Sequence, residues 1–426
     1  MDDFLQSTLP NGMQVFLKEI HTAPLVSSWL WYRVGSRNEV AGKTGLSHWT
    51  EHMQFKGTPR FPGTLLDKAI AREGGVWNAM TYLDWTAYYE TMPSRSIDLA
   101  LELEADRMSN TRFDEQETAS ERTVIISERQ GSENEPLFRL GEAMQKAAFH
   151  VHPYGHEVIG EMADLHAITR DDLEAHYRTY YVPNNAVLSI AGDFDSRVML
   201  ERIRDLFGPV AAGPEPPRVD GVEPPLGGEV RIDQDGPGET AYVQAAYRFP
   251  PAAHPDFFAL GVLDSLLAGP ASLNVFGGGL SNKTSRLYRA LVDKQIAVSV
   301  SGGASTTIDP FLYFFTLTVH PDRKPEEALD ALDAEIERLQ TDLVSEQEVA
   351  RAAKQVRALF SYGSESISNQ AFWMGYSEMF ASHEWFLDFL PAMERVRPED
   401  VRRVARAYLQ RESRIVGTYI PSAEAD

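Results

Sequence analysis

Near its middle the chain carries a stretch too rich in proline and glycine to form a helix or the interior of a sheet. The stretch starts at residues 207–209 and runs to about residue 228, and it contains Pro214, Pro216, Pro217, Pro224, Pro225, Gly227 and Gly228. Proline lacks the amide hydrogen that helices and inner strands need, so such a segment is typical of an interdomain linker. We therefore predict a first domain at residues 1–210, a linker at 211–228 and a second domain at 229–426.

The two parts on either side of this linker are nearly equal in length, which favours an internal repeat. Strand-like residues fill 10–35 in the first part and 230–249 in the second, and a helical segment follows each of them. In the second part this helix is predicted at 257–267, and a strand at 311–319 precedes a further helix at 325–339. The sequence thus predicts an α+β fold of two homologous domains, each an antiparallel-rich sheet covered by helices.

Composition excludes several classes of protein. The formal net charge of −22 over 426 residues argues against nucleic acid or an anionic membrane surface as a partner. The chain contains no cysteine, so a metal ion would have to be bound by His, Asp or Glu. No run of about 18 uncharged apolar residues is present, so we expect no membrane span. The first residues lack a secretory signal pattern, so we expect a cytoplasmic protein, or a periplasmic one if a signal was removed.

The segment Ser-His-Trp-Thr-Glu-His-Met at residues 47–53 is the strongest chemical signal. On a helix His48, Glu51 and His52 lie on one face, because their offsets of three and four match a turn of 3.6 residues. Two imidazoles one turn apart can bind one zinc ion, and a glutamate beside them can act on the water that zinc activates. The order H-x-x-E-H, the reverse of H-E-x-x-H, is typical of one class of zinc peptidase.

A catalytic zinc ion needs a third protein ligand from elsewhere in the chain. A helix predicted from about residue 115 to 130, with Asp114 as its cap, offers Glu117, Glu121 and Glu128. Glu121 and Glu128 are two turns apart on one face. That spacing suits one metal ligand and one carboxylate that orients a ligand imidazole. The spacing alone leaves open which of the two glutamates is the ligand.

Further sequence blocks that match a known family extend well beyond the H-x-x-E-H segment. They lie at residues 9–12, 34–39, 45–58, 74–81 with Asp84 and Tyr88, 152–155, 181–185 and 277–287. Together these blocks resemble the pitrilysin/insulinase family of zinc peptidases, in its two-domain branch that is similar to the mitochondrial processing peptidase. The resemblance covers nearly the whole chain.

The resemblance implies one zinc ion per chain, with His48, His52 and Glu128 as its ligands. Glu128 lies at the spacing after His52 at which the family places its third ligand. The resemblance further implies that Glu51 is the general base, and that Glu121 is a helper carboxylate beside the ligands.

The resemblance also implies a substrate. Two such chains would close like a clamshell around a chamber, in which unfolded peptides are hydrolysed. The strand that starts near Asn78, Ala79 and Met80 is the predicted edge on which a peptide pairs by strand addition.

One departure from the family pattern bears on partners. Family members that act alone carry an arginine and a tyrosine in the second half, and both contact the substrate. Counted from residues 285–288, Val292 and Val298 stand at those two positions here. We therefore expect a heterodimer in which this chain carries zinc and a homologous subunit supplies the Arg/Tyr pair. Two alternatives remain, namely a non-catalytic structural subunit of the same fold and a processing protease dedicated to a single substrate.

Overall fold

The computed structural model describes residues 4–273 and 280–422. The strands are β1 (Leu5–Thr8), β2 (Gln14–Glu19), β3 (Leu25–Tyr32), β4 (Val76–Thr81), β5 (Thr86–Pro93), β6 (Ala186–Gly192), β7 (Val230–Gly236), β8 (Tyr242–Phe249), β9 (Ala297–Gly303), β10 (Phe311–Val319) and β11 (Arg414–Pro421). The glycines at 277–279, which open one of the sequence blocks, lie outside the described residues.

The helices connect and cover these strands. They are α1 (Leu46–Gln54), α2 (Gly63–Arg72), α3 (Ile97–Asn110), α4 (Glu115–Glu133), α5 (Pro136–Ala148), α6 (Met162–Ala167), α7 (Arg170–Tyr180), α8 (Ser196–Phe207), α9 (Asp256–Leu267), α10 (Pro325–Thr341), α11 (Glu346–Tyr362), α12 (Ile367–Phe380), α13 (His383–Arg395) and α14 (Pro398–Tyr408). No helix in the described ranges is long and apolar enough to cross a lipid bilayer.

The strands form two sheets with the same topology. The first has the order β1-β2-β6-β3-β5-β4, and the second has the order β7-β11-β8-β10-β9. In each sheet one pair is parallel, β2 with β6 and β7 with β11, and the other pairs are antiparallel. Apart from β1, each strand of the first sheet has a counterpart in the second, so the predicted α+β fold of two homologous domains is confirmed.

The chain forms two compact units that are not continuous in sequence. The first contains the described residues up to Gln130, together with His156–Gly221 and Glu365–Phe386. The second contains Gly131–Gly155, Val222–Ser364 and the described residues from Leu387 onward. Residues 211–228 contain no helix or strand.

Helices α5 and α12 each belong to the unit formed mainly by the other half of the sequence. The two units therefore differ from the domains that the sequence suggests on either side of residues 211–228. Helix α5 buries Leu140 and Met144 against β11, where Gly417 leaves room for the Met144 sulfur. Helix α12 comes from the second half of the chain and covers β3 and β6 of the first sheet. A Cβ atom at Gly375 of α12 would lie 2.1 Å from Nε1 of Trp31, so the helix packs this closely only because glycine stands there. Each sheet therefore takes part of its cover from the other half of the sequence.

The loop before α1 fixes where this helix begins. Gly45 adopts a left-handed conformation with φ of +93° and has no side chain to cap the helix. The buried carboxylate of Glu39 takes that role, since it accepts hydrogen bonds from the backbone N–H groups of Gly45 (2.7 Å) and Ser47 (2.6 Å). Asp114 caps α4 as predicted, because its Oδ1 accepts from the N–H of Gln116 at 2.8 Å.

Candidate metal centre

Helix α1 presents both histidines and the glutamate of the H-x-x-E-H segment on one face. The imidazole rings of His48 and His52 have their centroids 4.6 Å apart. Trp49 and Met53 lie on the adjoining face of the helix and are fully buried. The alternation of ligand-type and apolar residues therefore fixes the rotation of α1, with its histidine face toward α4.

Helix α4 brings Glu128 to the two histidines. Its Oε2 lies 3.9 Å from Nε2 of His48 and 3.8 Å from Nε2 of His52. One potential ligand atom from each residue lies within 4.8 Å of the other two. Within residues 4–273 and 280–422, this is the one set of three such side chains close enough to share a metal ion.

The donor set fits zinc. Two imidazole nitrogens and one carboxylate oxygen are the ligands of a catalytic zinc site, which keeps a fourth position open. Ligands placed about 2.0–2.1 Å from a tetrahedral ion lie about 3.4 Å from one another. The observed separations of 3.8 and 3.9 Å exceed this by about half an ångström. The side chain of Glu128 is 48% exposed, so its carboxylate has room to close that gap.

Glu121 orients His52. Its Oε1 lies 2.8 Å from Nδ1 of His52, and its second oxygen is paired with Nζ of Lys56. Burial alone would raise the pKa of Glu121, but the hydrogen bonds from His52 and Lys56 lower it below its ordinary value. An ionised Glu121 accepts a hydrogen bond from Nδ1–H, and this leaves Nε2 of His52 as the atom that faces Glu128.

The two histidines have different electrostatic surroundings. Burial lowers the pKa of His48 to about 3, so its imidazole is neutral at physiological pH and available as a ligand. For His52 burial also acts to lower the pKa, but the hydrogen bond from Glu121 and the nearby carboxylates raise it overall. Nδ1 of His48 is buried and has no hydrogen-bond partner among the described residues.

Glu51 lies in a buried position beside the histidines. The hydroxyl of Thr81, the last residue of β4, donates a hydrogen bond to its Oε2 at 2.8 Å. Burial raises the pKa of Glu51 to about 6, and the Thr81 hydrogen bond partly opposes that rise. A carboxyl group with its pKa near neutrality can both accept and release a proton, which is what general acid–base chemistry requires.

Strand β4 ends at Thr81, in contact with Glu51. It lies at one end of its sheet and, among the described strands, pairs only with β5. Asn78, Ala79 and Met80 lie in the middle of this strand, and the N–H of Ala79 donates to its neighbour's side-chain oxygen, Oδ1 of Asn78, at 2.9 Å. Ala79 therefore directs its N–H away from β5, toward the open edge.

The structure brings His48, Glu51, His52, Glu121 and Glu128 together, and it places residues 78–80 on the strand that ends at the site. Glu117, the third acid considered on α4, is exposed.

Sequence reasoning assigned no role to Thr81 or Lys56, which contact Glu51 and Glu121. Both residues belong to blocks that carried the family resemblance. Their membership in these blocks could have marked both residues as candidates. Their partners could not be inferred, because each contact joins parts of the chain that are far apart in sequence.

The two valines that depart from the family pattern lie in the second unit. Val292 ends a π-helical turn at Tyr288–Val292, and Val298 is exposed on β9. Arg286, just before that turn, is paired with Glu348 at 2.8 Å.

Two family models match the chain. The model described as insulinase (peptidase family M16) matches residues 14–161, and the model described as the peptidase M16 inactive domain matches residues 167–356. The first match contains the candidate metal centre.

Several known proteins of similar sequence and fold are peptidases by name. Zinc protease PqqE of Helicobacter pylori is 30% identical over 85% of this chain and 81% of its own length. A probable mitochondrial-processing peptidase subunit beta of Arabidopsis thaliana is 30% identical over 83% of this chain and 66% of its own length. The crystal structure of a protease from Helicobacter pylori superposes with a TM-score of 0.91 and 27% identity, covering 99% of this chain and all of that one.

Proposed function

The chain belongs to the insulinase family of peptidases, M16, and we propose that it is a zinc-dependent endopeptidase that hydrolyses unfolded peptides. The observation that carries the proposal is the group formed by His48, His52 and Glu128 with the buried carboxyl of Glu51 beside it. Relatives that carry the name zinc protease support the choice of metal.

In this proposal His48, His52 and Glu128 hold the zinc ion. When bound, zinc supplies Lewis-acid polarisation of the scissile carbonyl and lowers the pKa of water. His48 is ready to bind because burial keeps it neutral. His52 is held in the required tautomer by Glu121, whose ionised carboxylate also adds negative charge near the ion.

Glu51 moves the proton. One of its oxygens, Oε2, is held by the Thr81 hydroxyl, which leaves Oε1 to take a proton from the attacking water and deliver it to the leaving amine. The raised pKa of Glu51 makes both transfers accessible near neutral pH. Thr81 thereby joins the proton-transfer residue to the strand proposed to bind the peptide.

The peptide substrate is proposed to pair with β4 through residues 78–80. The N–H of Ala79 is the donor that such a strand would meet, and the Asn78 side chain must give it up when the peptide binds. Ala79→Pro removes this outward N–H without removing a hydrogen bond to β5. We expect it to raise KM for peptides while zinc affinity stays unchanged, and an unaltered KM would contradict pairing at this edge.

The decisive experiment is hydrolysis of a quenched fluorescent peptide by the zinc-loaded chain, alone and together with a homologous subunit that carries the Arg/Tyr pair, with Glu51→Gln compared under the condition in which the native chain turns over. Glutamine keeps the hydrogen bond from Thr81 but cannot accept the proton, so we expect turnover to fall by about 10²- to 10⁴-fold. The exposed Glu117→Gln on α4 is the matched control and should keep full activity. Equal turnover by the Glu51→Gln variant would refute the assigned role.

We further propose that the active enzyme is a heterodimer with a homologous subunit. Val292 and Val298 replace the arginine and tyrosine that the family resemblance leads one to expect, and one relative is named as a subunit of a processing peptidase. The purified chain should then bind zinc without hydrolysing peptides until a homologue that carries the Arg/Tyr pair is added. Efficient turnover by the chain alone, sensitive to Glu51→Gln, would exclude this partner.

A further inference from the structure

Arg122 follows Glu121 on α4 and reaches away from the metal site, to the end of α6. Its Nη1 donates to the carbonyls of Leu165 (2.6 Å) and His166 (2.9 Å), and its Nη2 donates to that of Ile168 (2.7 Å). The last carbonyls of a helix have no partners within the helix and carry partial negative charge. The guanidinium therefore binds α4 firmly to the C-terminal end of α6.

The same guanidinium lies over the indole ring of Trp49, with its Cζ 4.9 Å from the ring centroid. Trp49 follows the ligand His48 on α1 and is completely buried. The electron-rich face of the indole attracts a cation stacked in this way, which fixes the position of both groups. Arg122 thus contacts the helix that carries the histidines as well as α6.

Helix α6 is in turn bound to the start of α1. The backbone N–H and the hydroxyl of Thr44 both donate to Oδ2 of Asp164, at 2.9 and 2.7 Å, and the N–H of Glu161 donates back to the Thr44 hydroxyl at 2.8 Å. Gly45 lies so close to the carbonyl of Ile159 that a Cβ atom would approach its oxygen to 2.7 Å. The contacts from α1 to α6, from α6 to α4 and from α4 back to α1 form a closed ring that passes through Arg122.

We propose that Arg122 is a positioning residue that sets the distance between α4 and α1, so that Glu128 meets His48 and His52. This inference rests on the proposed metal centre. Glu128 lies six residues further along α4, about 9 Å along the helix axis. A small rotation or shift of α4 at Arg122 would therefore displace the carboxylate from both histidines, although Arg122 itself touches no ligand.

Arginine is suited to this role and lysine is not. The planar guanidinium donates in two directions while its face stays against an aromatic ring, whereas an ammonium group is a single point of charge without a planar face. Arg122→Lys therefore keeps the positive charge and the apolar stem but loses the fork and the stacking. We expect its zinc dissociation constant to rise about tenfold, as is typical when a residue supporting the ligands is lost.

Arg178 provides a matched control in the same unit. It lies over the ring of Tyr177 at 5.3 Å and donates to the carbonyl of Ser109 at 3.1 Å, near the end of α3. None of these contacts involves α1 or α4. Zinc affinity, measured by competition with a chelator, should be unchanged in Arg178→Lys.

A double-mutant cycle separates positioning from general stabilisation. If Arg122 acts through the third ligand, Arg122→Lys should weaken zinc binding about tenfold in the native chain and not at all when Glu128→Ala is already present. The visible absorption of the cobalt-substituted chain should change with Arg122→Lys toward that of Glu128→Ala. Equal losses of affinity in both backgrounds would overturn the positioning role.

The other possible outcomes also test the positioning role of Arg122. Unchanged affinity and an unchanged cobalt spectrum in Arg122→Lys would overturn the positioning role alone, whereas a native chain that binds no zinc would overturn the metal centre with it. Circular dichroism of the metal-free variants checks folding, with Arg122→Gln as a second variant. If neither variant folds, Arg122 stabilises the whole unit and not one ligand, and the proposal is overturned.

Discussion

Replacing Glu121 by glutamine changes one charge and almost nothing else at the candidate metal centre. The glutamine can still accept a hydrogen bond from Nδ1 of His52, which now lies 2.8 Å from the carboxylate. It cannot neutralise the ammonium group of Lys56, which the carboxylate pairs with in the native chain. The substitution therefore tests whether the negative charge of Glu121 contributes to metal binding.

The size of the effect follows from these two contacts. A hydrogen bond to a charged group contributes about 1.5–3 kcal/mol and a neutral one about 0.5–1.5 kcal/mol. A bound metal ion makes Nδ1–H of His52 a stronger donor, so this difference of about 1–1.5 kcal/mol is the most by which the change at His52 weakens zinc binding. That difference corresponds to about a five- to thirteen-fold rise in the dissociation constant. The side chain of Glu121 is only 6% exposed, so water screens little of this loss. The unpaired charge of Lys56 adds to it, and we expect about a tenfold to hundredfold change in total.

The assay is chelator competition, supported by urea unfolding at a fixed free zinc concentration. At a concentration one hundred times the native dissociation constant, zinc stabilises the native chain by about 2.7 kcal/mol and a tenfold weaker variant by about 1.4 kcal/mol. Glu117→Gln, an exposed change of the same kind on α4, is the control. A Glu121→Gln variant with native zinc affinity would refute the argument that this carboxylate orients and charges the site.

The further predictions concern side-chain packing and the pH dependence of the free energy of unfolding. Gly375→Ala should reduce the free energy of unfolding by at least about 1–3 kcal/mol, because its Cβ would lie 2.1 Å from Nε1 of Trp31. Gly131→Ala on α4 should instead increase the free energy of unfolding by about 0.5–1 kcal/mol, because its Cβ would meet no atom within 4 Å. Urea midpoints of the two variants check both signs, and equal midpoints would contradict the packing argument. Burial raises the pKa of Asp264 to about 7, against an opposing hydrogen bond from Tyr313. The unfolded chain releases this proton near pH 4 while the folded chain keeps it, so the stability that the neutral carboxyl provides is lost as pH rises from about 4 to 7. Relative to Asp264→Asn, the native chain should therefore lose about 2–4 kcal/mol over that range in urea titrations, and parallel pH profiles of the two proteins would contradict the assignment.

Local spacing was enough to predict the parts of the site that lie on single helices. Helix geometry alone places residues at these offsets on one face, independently of the rest of the chain. This holds for His48, Glu51 and His52 on one helix and for Glu121 and Glu128, two turns apart, on another. The turn-rich segment at 211–228 and the strand-like residues around it likewise indicated a repeated α+β fold. The matching strand orders of the two sheets bear out that repeat.

Contacts between distant parts of the chain were not accessible in the same way. Thr81 reaches Glu51 because β4 ends beside α1, and Lys56 reaches Glu121 because α4 lies beside the end of that helix. Helix α12 is rich in aromatic and other apolar residues, which favours burial but does not say which sheet it covers. Its contacts in the folded structure, among them the close approach of Gly375 to Trp31, assign it to the first sheet.

That assignment has a consequence for how the protein is made. Trp29 and Trp31 on β3 emerge early from the ribosome, but Phe372 of α12, which packs edge-on against both rings, is translated some 340 residues later. At about 5–20 residues per second, the first unit waits roughly 20–70 seconds for its last helix. During that interval these aromatic rings lack their cover, and exposed apolar surface of this kind is prone to aggregation and is what chaperones bind. For the same reason, a fragment cut at the linker would carry every proposed zinc ligand and still be unable to complete the core beneath them.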